Sequence, residues 1–101
     1  MGTPQSIAYS SAKAAVNSFT QTLAKSLAPK INVNAISPGY VDTPMWSHTT
    51  EDEKKVFGKD QLIGRFVRAE EVADMAVAII KNEAMTGEVV VIDGGLSLKT
   101  I

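Results

Sequence analysis

The run Val89-Val90-Val91-Ile92 constrains this chain more than any other stretch. Four successive β-branched residues suit a strand covered on both faces, as strands of parallel sheets are. Asp93-Gly94-Gly95 ends the run with a sharp turn. Helical periodicity precedes it over residues 69–81. Glu70 and Glu71 sit in the first turn and Lys81 in the last, matching the helix dipole. Val72, Ala73, Ala76, Ile79 and Ile80 are expected to form the inward stripe, and residues 82–87 read as a turn. Further upstream, Ile31-Asn32-Val33-Asn34-Ala35-Ile36 alternates with period two and predicts a second strand. A strand, a crossover helix and a strand make one βαβ unit with its two strands parallel.

Two parallel strands bury little, because such sheets need both faces covered and small sheets are marginal alone. With 101 residues the chain is long enough for one small domain, yet its first helix has no earlier element to pack on. The pattern therefore reads as the end of a larger α/β domain. The asparagines of the first strand allow two readings: an edge strand with a wet face, or Asn34 hydrogen-bonding neighbouring backbone. Ser37-Pro38-Gly39 is expected to break that strand at its carboxyl end, and Tyr40 to Pro44 to continue as loop. Residues 45–64 read as a long connection with one or two short helices, interrupted by Gly58 and Gly64. A connection of that length suits an active-site lid or a linker.

The first helix is expected from Ile7 to Leu27, after a turn-forming lead with Ser6 as a cap. Ala8, Ala12, Ala15 or Val16, Phe19, Leu23 and Leu27 give its apolar stripe, and Ala28-Pro29 its stop. Small residues (Ala12, Ala14, Ala15, Ser18, Ala24) would let another element approach closely. Tyr9 and Lys13 lie four apart and so share one face, one turn apart. A cation beside a phenol favours the tyrosinate and lowers its pKa from about 10. That would bring a general acid/base nearer to working pH. The same spacing also suits two side chains lying along a helix surface.

Composition excludes several other chemistries. Without cysteine there is no disulfide framework, thiolate metal site or cysteine nucleophile. His48 is the single histidine, so no metal site is expected. A net charge of −1 points away from nucleic acid and anionic membranes. No apolar run reaches the roughly 18 residues of a membrane span, and no signal-peptide layout opens the chain. A cytoplasmic protein without membrane attachment is the expectation.

Taken together, Tyr9-Ser10-Ser11-Ala12-Lys13, the strand ending in Ser37-Pro38-Gly39, Tyr40-Val41-Asp42-Thr43, Gly64-Arg65 before Glu70-Glu71-Val72-Ala73, and Thr86-Gly87 before Asp93-Gly94-Gly95 resemble the classical short-chain dehydrogenase/reductase family. The resemblance covers nearly the whole chain, as the C-terminal part of such an enzyme. It implies the C-terminal portion of a Rossmann-like doubly wound parallel sheet, in the order helix, strand, lid (about 44–64), helix, strand, with residues 1–101 forming part of a single domain. It implies NAD(P)-dependent hydride transfer between a small-molecule alcohol and a carbonyl, with NAD or NADP as cofactor. Tyr9 would be the acid/base, and Lys13 would lower its pKa and hold the nicotinamide ribose. Pro38 and Gly39 would let the backbone approach the cofactor, while the Val41 backbone and the Thr43 hydroxyl would hold the carboxamide. Trp46 and His48 would be lid contacts with substrate. The helix over 7–28 would pair with a second copy or with a full-length relative. The family's glycine-rich dinucleotide loop and catalytic serine belong upstream of these motifs. The chain alone is therefore expected to be inactive. A non-catalytic interaction module and a truncated remnant are the alternatives.

Overall fold

The computed structural model describes residues 4–99; for Pro4, Gln5, Ser6 and Tyr9 it describes the backbone alone. The order is α1 (Pro4–Leu27), β1 (Ala35–Pro38), β2 (Val41–Asp42), a 3-10 turn (Pro44–Trp46), α2 (Glu51–Gly58), β3 (Val67–Arg68), α3 (Ala69–Lys81), β4 (Val89–Ile92) and α4 (Leu96–Lys99). This is an α/β chain with two two-stranded sheets, β1 beside β4 and β2 beside β3. Its described residues fall into two compact units. The first holds residues up to Ala35 with Asn82–Val90, the second Ile36–Lys81 with the residues from Val91 onward.

In the first unit, α1 starts at Pro4 rather than at Ile7. A proline suits the first helical turn, where its missing N–H would have had no partner. Residues 4–6 of the expected lead are thus helical and Ser6 lies inside the helix instead of capping it, while residues 1–3 of that lead lie outside the described residues. The apolar stripe is also shifted. Thr20 and Ala24 are the buried positions, while Ile7, Val16 and Phe19 are exposed, Phe19 by 67%. Thr20 returns its hydroxyl proton to the carbonyl of Val16 at 2.7 Å, which lets a polar side chain be buried.

The predicted strand over 31–36 lies later, at Ala35–Pro38. Side chains tie the preceding residues to the 82–88 segment. Asn32 Nδ2 donates to the Glu83 carbonyl at 3.1 Å. The Val33 N–H donates to Thr86 Oγ1 at 3.0 Å. Asn34 donates to the Met85 carbonyl at 3.0 Å and accepts the Glu88 N–H at 3.2 Å. Of the two readings of Asn34, the backbone-bonding one holds. Backbone pairing already starts among these side-chain bonds, with the Gly87 N–H on the Val33 carbonyl at 2.7 Å, and continues with the Ala35 N–H on the Glu88 carbonyl at 2.9 Å.

In the second unit, the Gly39 N–H donates to the Ile92 carbonyl at 3.1 Å. Donor and acceptor numbers thus rise together along β1 and β4, the parallel sense the βαβ pattern requires. The expected loop after Gly39 contains a strand. Val41 pairs in parallel with Val67, and Asp42 with Arg68. This pairing was hidden because two-residue strands leave no periodicity to read. Val67 and Ile79 form the buried apolar centre. On α3, Val72 and Ala76 are half-buried and share Ile79's face, whereas Ala73 and Ile80 face solvent, Ile80 by 80%. Steps of four and three select that narrower stripe from the one expected.

Residues 44–64 are largely ordered into short helices. Thr50 begins α2 with a capping box: its hydroxyl accepts the Glu53 N–H at 3.1 Å, and Glu53 accepts the Thr50 N–H at 3.1 Å. The backbone bond to Thr50, and then its hydroxyl, lower the pKa of Glu53. No helix among the described residues is long and apolar enough to cross a membrane.

Candidate functional site

The candidate residues divide between the two units: Tyr9 and Lys13 belong to the first, and Pro38, Gly39, Val41 and Thr43 to the second. Uninterrupted helix from Pro4 to Leu27 keeps Tyr9 and Lys13 one turn apart along the backbone of α1. Lys13 is half-buried. The Tyr9 side chain lies outside the described residues.

The second group forms one short stretch at the carboxyl end of β1. Pro38 is the last residue of that strand. Gly39 follows in a position that admits no side chain. A Cβ there would overlap Oε1 of Gln61 and lie 2.9 Å from both Cα and Cβ of Asp93. The glycine is thus required by what packs on it, and its backbone is not in the left-handed region. The Tyr40 carbonyl then accepts the Val67 N–H at 2.8 Å. In a parallel ladder begun this way, the bonds to β3 come from Tyr40 and Asp42, and the peptide groups of Val41 face the opposite side of β2. Thr43 ends the stretch. It precedes the 3-10 turn, accepting the Trp46 N–H on its carbonyl at 3.0 Å, and its side chain makes no capping bond. An outward peptide and a hydroxyl two residues apart offer donors and acceptors to a planar amide.

Trp46 serves packing. Its ring meets Phe66 at 4.8 Å, Phe57 at 5.3 Å and Tyr40 at 5.8 Å between centroids, in edge-on or tilted arrangements. Lys54 lies 5.7 Å over the Phe66 ring and pairs with Asp42 at 2.8 Å; its pKa is raised, chiefly by that bond to Asp42. His48 is exposed. The connection is therefore clamped by an aromatic cluster that begins at Tyr40 itself.

Three polar residues build this region: Gln61, which sequence reasoning passed over, and Asp93 and Glu71, which it read only as a turn former and a first-turn acid. Gln61 is 1% exposed and bonds to the Tyr40 N–H. Asp93 is 6% exposed. Its carboxylate accepts the N–H groups of Gly95 and Ser97, each at 3.0 Å, and the Ser97 hydroxyl. The signal for Asp93 was present, since an aspartate before two glycines forms such turns. Gly94 and Gly95 take positive φ values of 58° and 87°, and there a Cβ would strike Ile63 and Leu62. Glu71 is the third. It grips Arg65 through both oxygens, at 2.9 and 3.0 Å, and accepts the Arg68 N–H at 2.8 Å. The Arg65 bond, then the backbone bond from Arg68, hold its pKa down to about 2.

The family model described as enoyl-(acyl carrier protein) reductase matches residues 1–97. The chain is 34% identical over 97 residues to the short-chain dehydrogenase/reductase homolog YusR of Bacillus subtilis, covering 96% of this chain and 74% of that protein. It is 40% identical over 92 residues to the 3-oxoacyl-[acyl-carrier-protein] reductase of Rattus norvegicus, covering 90% of this chain and 38% of that enzyme. Among solved structures, the Pseudomonas aeruginosa RhlG/NADP active-site complex superposes with a TM-score of 0.80 at 36% identity, over 95% of this chain and 40% of that one. The chain thus spans about two fifths of the length of several proteins it resembles.

Proposed function

The chain belongs to the short-chain dehydrogenase/reductase family, and from that premise we propose that it carries the proton-transfer and nicotinamide-end half of an NAD(P)-dependent oxidoreductase site. The observation that supports this best is the stretch from Gly39 to Thr43. A closely packed glycine follows β1, the Val41 peptide faces away from its own ladder, and the Thr43 side chain is not used as a cap. Such groups would hold the nicotinamide carboxamide. NAD or NADP would supply the hydride. The Pro38 and Gly39 backbone would lie close to the ring.

In this reading Tyr9 gives a proton to the substrate oxygen during carbonyl reduction and takes it back during alcohol oxidation. Lys13 stabilises the tyrosinate and holds the nicotinamide ribose. The substrate is a small alcohol or carbonyl compound. Turnover requires a dinucleotide-binding half, so the 101 residues alone hold the nicotinamide end weakly and turn nothing over. The test combines the chain with the dinucleotide-binding half of a relative and follows nicotinamide absorbance with a panel of ketones and alcohols. Turnover only in the combination supports the reading. Robust turnover by the chain alone, or none in any combination with NADH or NADPH, contradicts it.

A second reading has its own observation. Val16 and Phe19 of α1 are exposed by 47% and 67%, on one side of the helix with exposed Ala12 and Ala15. A face of this kind fits pairing with a second copy or a full-length relative. Sedimentation decides it: a strict monomer that also ignores a relative argues against the pairing.

A further inference from the structure

Gln61 and Val67 are the largest fully enclosed side chains of the described residues. A primary amide in that position is costly unless both its ends are used. Here both are used on backbone. Oε1 accepts the Tyr40 N–H at 2.6 Å, and Nε2 donates to the Arg65 carbonyl at 2.7 Å. A backbone donor at one end and a backbone acceptor at the other fix which way the amide lies. The far end is itself anchored, since the Arg65 guanidinium donates to the Phe66 carbonyl at 2.9 Å and to both oxygens of Glu71.

The near end sits where it constrains the candidate site most. Oε1 fills the volume that a side chain on Gly39 would need, with Asp93 closing the rest. The Tyr40 peptide is thereby pinned twice, by its N–H on Gln61 and by its carbonyl on the Val67 N–H. Val41 comes next in the chain. Where the Gly39–Tyr40 peptide points decides where the Val41 peptide and the Thr43 hydroxyl are presented. We propose that Gln61 is a positioning residue: its buried amide locks the turn from Pro38 to Thr43 into the geometry that receives the nicotinamide carboxamide. The locking stands on the contacts above. The link to the cofactor rests on the functional reading already given.

The experiment uses the whole 101-residue chain, isotope-labelled, as wild type and as Gln61→Met, which keeps the volume and removes the amide. In wild type, a through-bond coupling connects the Tyr40 amide nitrogen with the Gln61 side-chain carbonyl carbon. In Gln61→Met, exchange of the Tyr40 amide accelerates about tenfold, as loss of one hydrogen bond predicts, while amides in the middle of α3 keep their rates. NADPH is then titrated onto both forms and followed at the Val41 and Thr43 amides, where the dissociation constant rises about tenfold in the variant. No coupling, or unchanged Tyr40 exchange, overturns the proposal; the coupling needs no variant and decides the lock even if Gln61→Met does not fold. Equal NADPH affinity in the two forms overturns the positioning role. A wild-type chain that takes up no NADPH counts against the functional reading alone, and the coupling and exchange still decide the lock.

Discussion

Replacing Gly39 by alanine tests the packing argument most sharply, because two glycines of the same unit separate two causes of glycine dependence. At Gly39 the obstacle is space. The added Cβ would overlap Gln61 Oε1 and lie 2.9 Å from the backbone Cα of Asp93. A side-chain oxygen can swing aside, but backbone cannot do so without moving the turn after β4. Overpacking of this kind costs about 1–3 kcal/mol, and displacing Gln61 from the Tyr40 N–H adds about 0.5–1.5 kcal/mol. The expected total is about 1.5–4.5 kcal/mol. At Gly64 the obstacle is conformation alone. Its φ is 75° and nothing lies within 4 Å of an added Cβ. Alanine there is expected to cost about 1 kcal/mol. The assay is residue-resolved hydrogen exchange, because a chain of two compact units does not justify a single unfolding free energy. Amides of β2, β3 and α3 should lose about 10- to 2,000-fold protection in Gly39→Ala and about fivefold in Gly64→Ala. If Gly64→Ala is as damaging as Gly39→Ala, the steric account of this turn is wrong.

Three other perturbations probe the supports of the two units. Glu71 has its folded pKa lowered from 4.5 to about 2, so its contribution is complete above pH 4.5 and disappears as pH falls through about 2. Its side-chain carboxyl resonance should titrate near 2, with the Arg68 amide following it, and a midpoint near 4.5 would contradict the bidentate pairing. Asn34→Ala removes partners from the Met85 carbonyl and the Glu88 N–H, and should cost about 1–3 kcal/mol, read as faster exchange at Glu88 and Ala35. Asn32→Ala, which frees only an exposed bond to Glu83, should cost less; equal effects would refute the distinction.

The long elements were legible because their patterns are local. Residues 69–81 carried helical spacing with matched end charges, and α3 occupies that range. The apolar run at Val89–Ile92 was a strand on composition alone. What escaped was set by distant partners. Nothing near Gln61 in sequence signals that its amide reaches Tyr40, and nothing near Val41 announces a two-residue ladder with Val67. The first strand was placed too early because Asn32, Val33 and Asn34 alternate like a strand while bonding to the 83–88 turn. The apolar stripe of α1 is only partly covered, with Leu23 and Leu27 half-buried, for a related reason. Periodicity identifies an apolar face but not what covers it, and Phe19 is exposed. For the site, the motifs named Pro38, Gly39, Val41 and Thr43 together and named Asp93 as a turn, while the bond from Gln61 to Tyr40 and the packing of Asp93 on Gly39 came only from the fold.

The central claim is that Tyr9 is the proton carrier of a nicotinamide-dependent reaction, and Tyr9→Phe measures it directly. The substitution keeps the ring and removes the hydroxyl. In the chain combined with a relative's dinucleotide-binding half, carbonyl reduction by Tyr9→Phe should fall by about 10²–10⁴-fold, the usual contribution of a general acid/base, with the cofactor dissociation constant unchanged. Turnover within a few-fold of the unsubstituted combination would contradict the account.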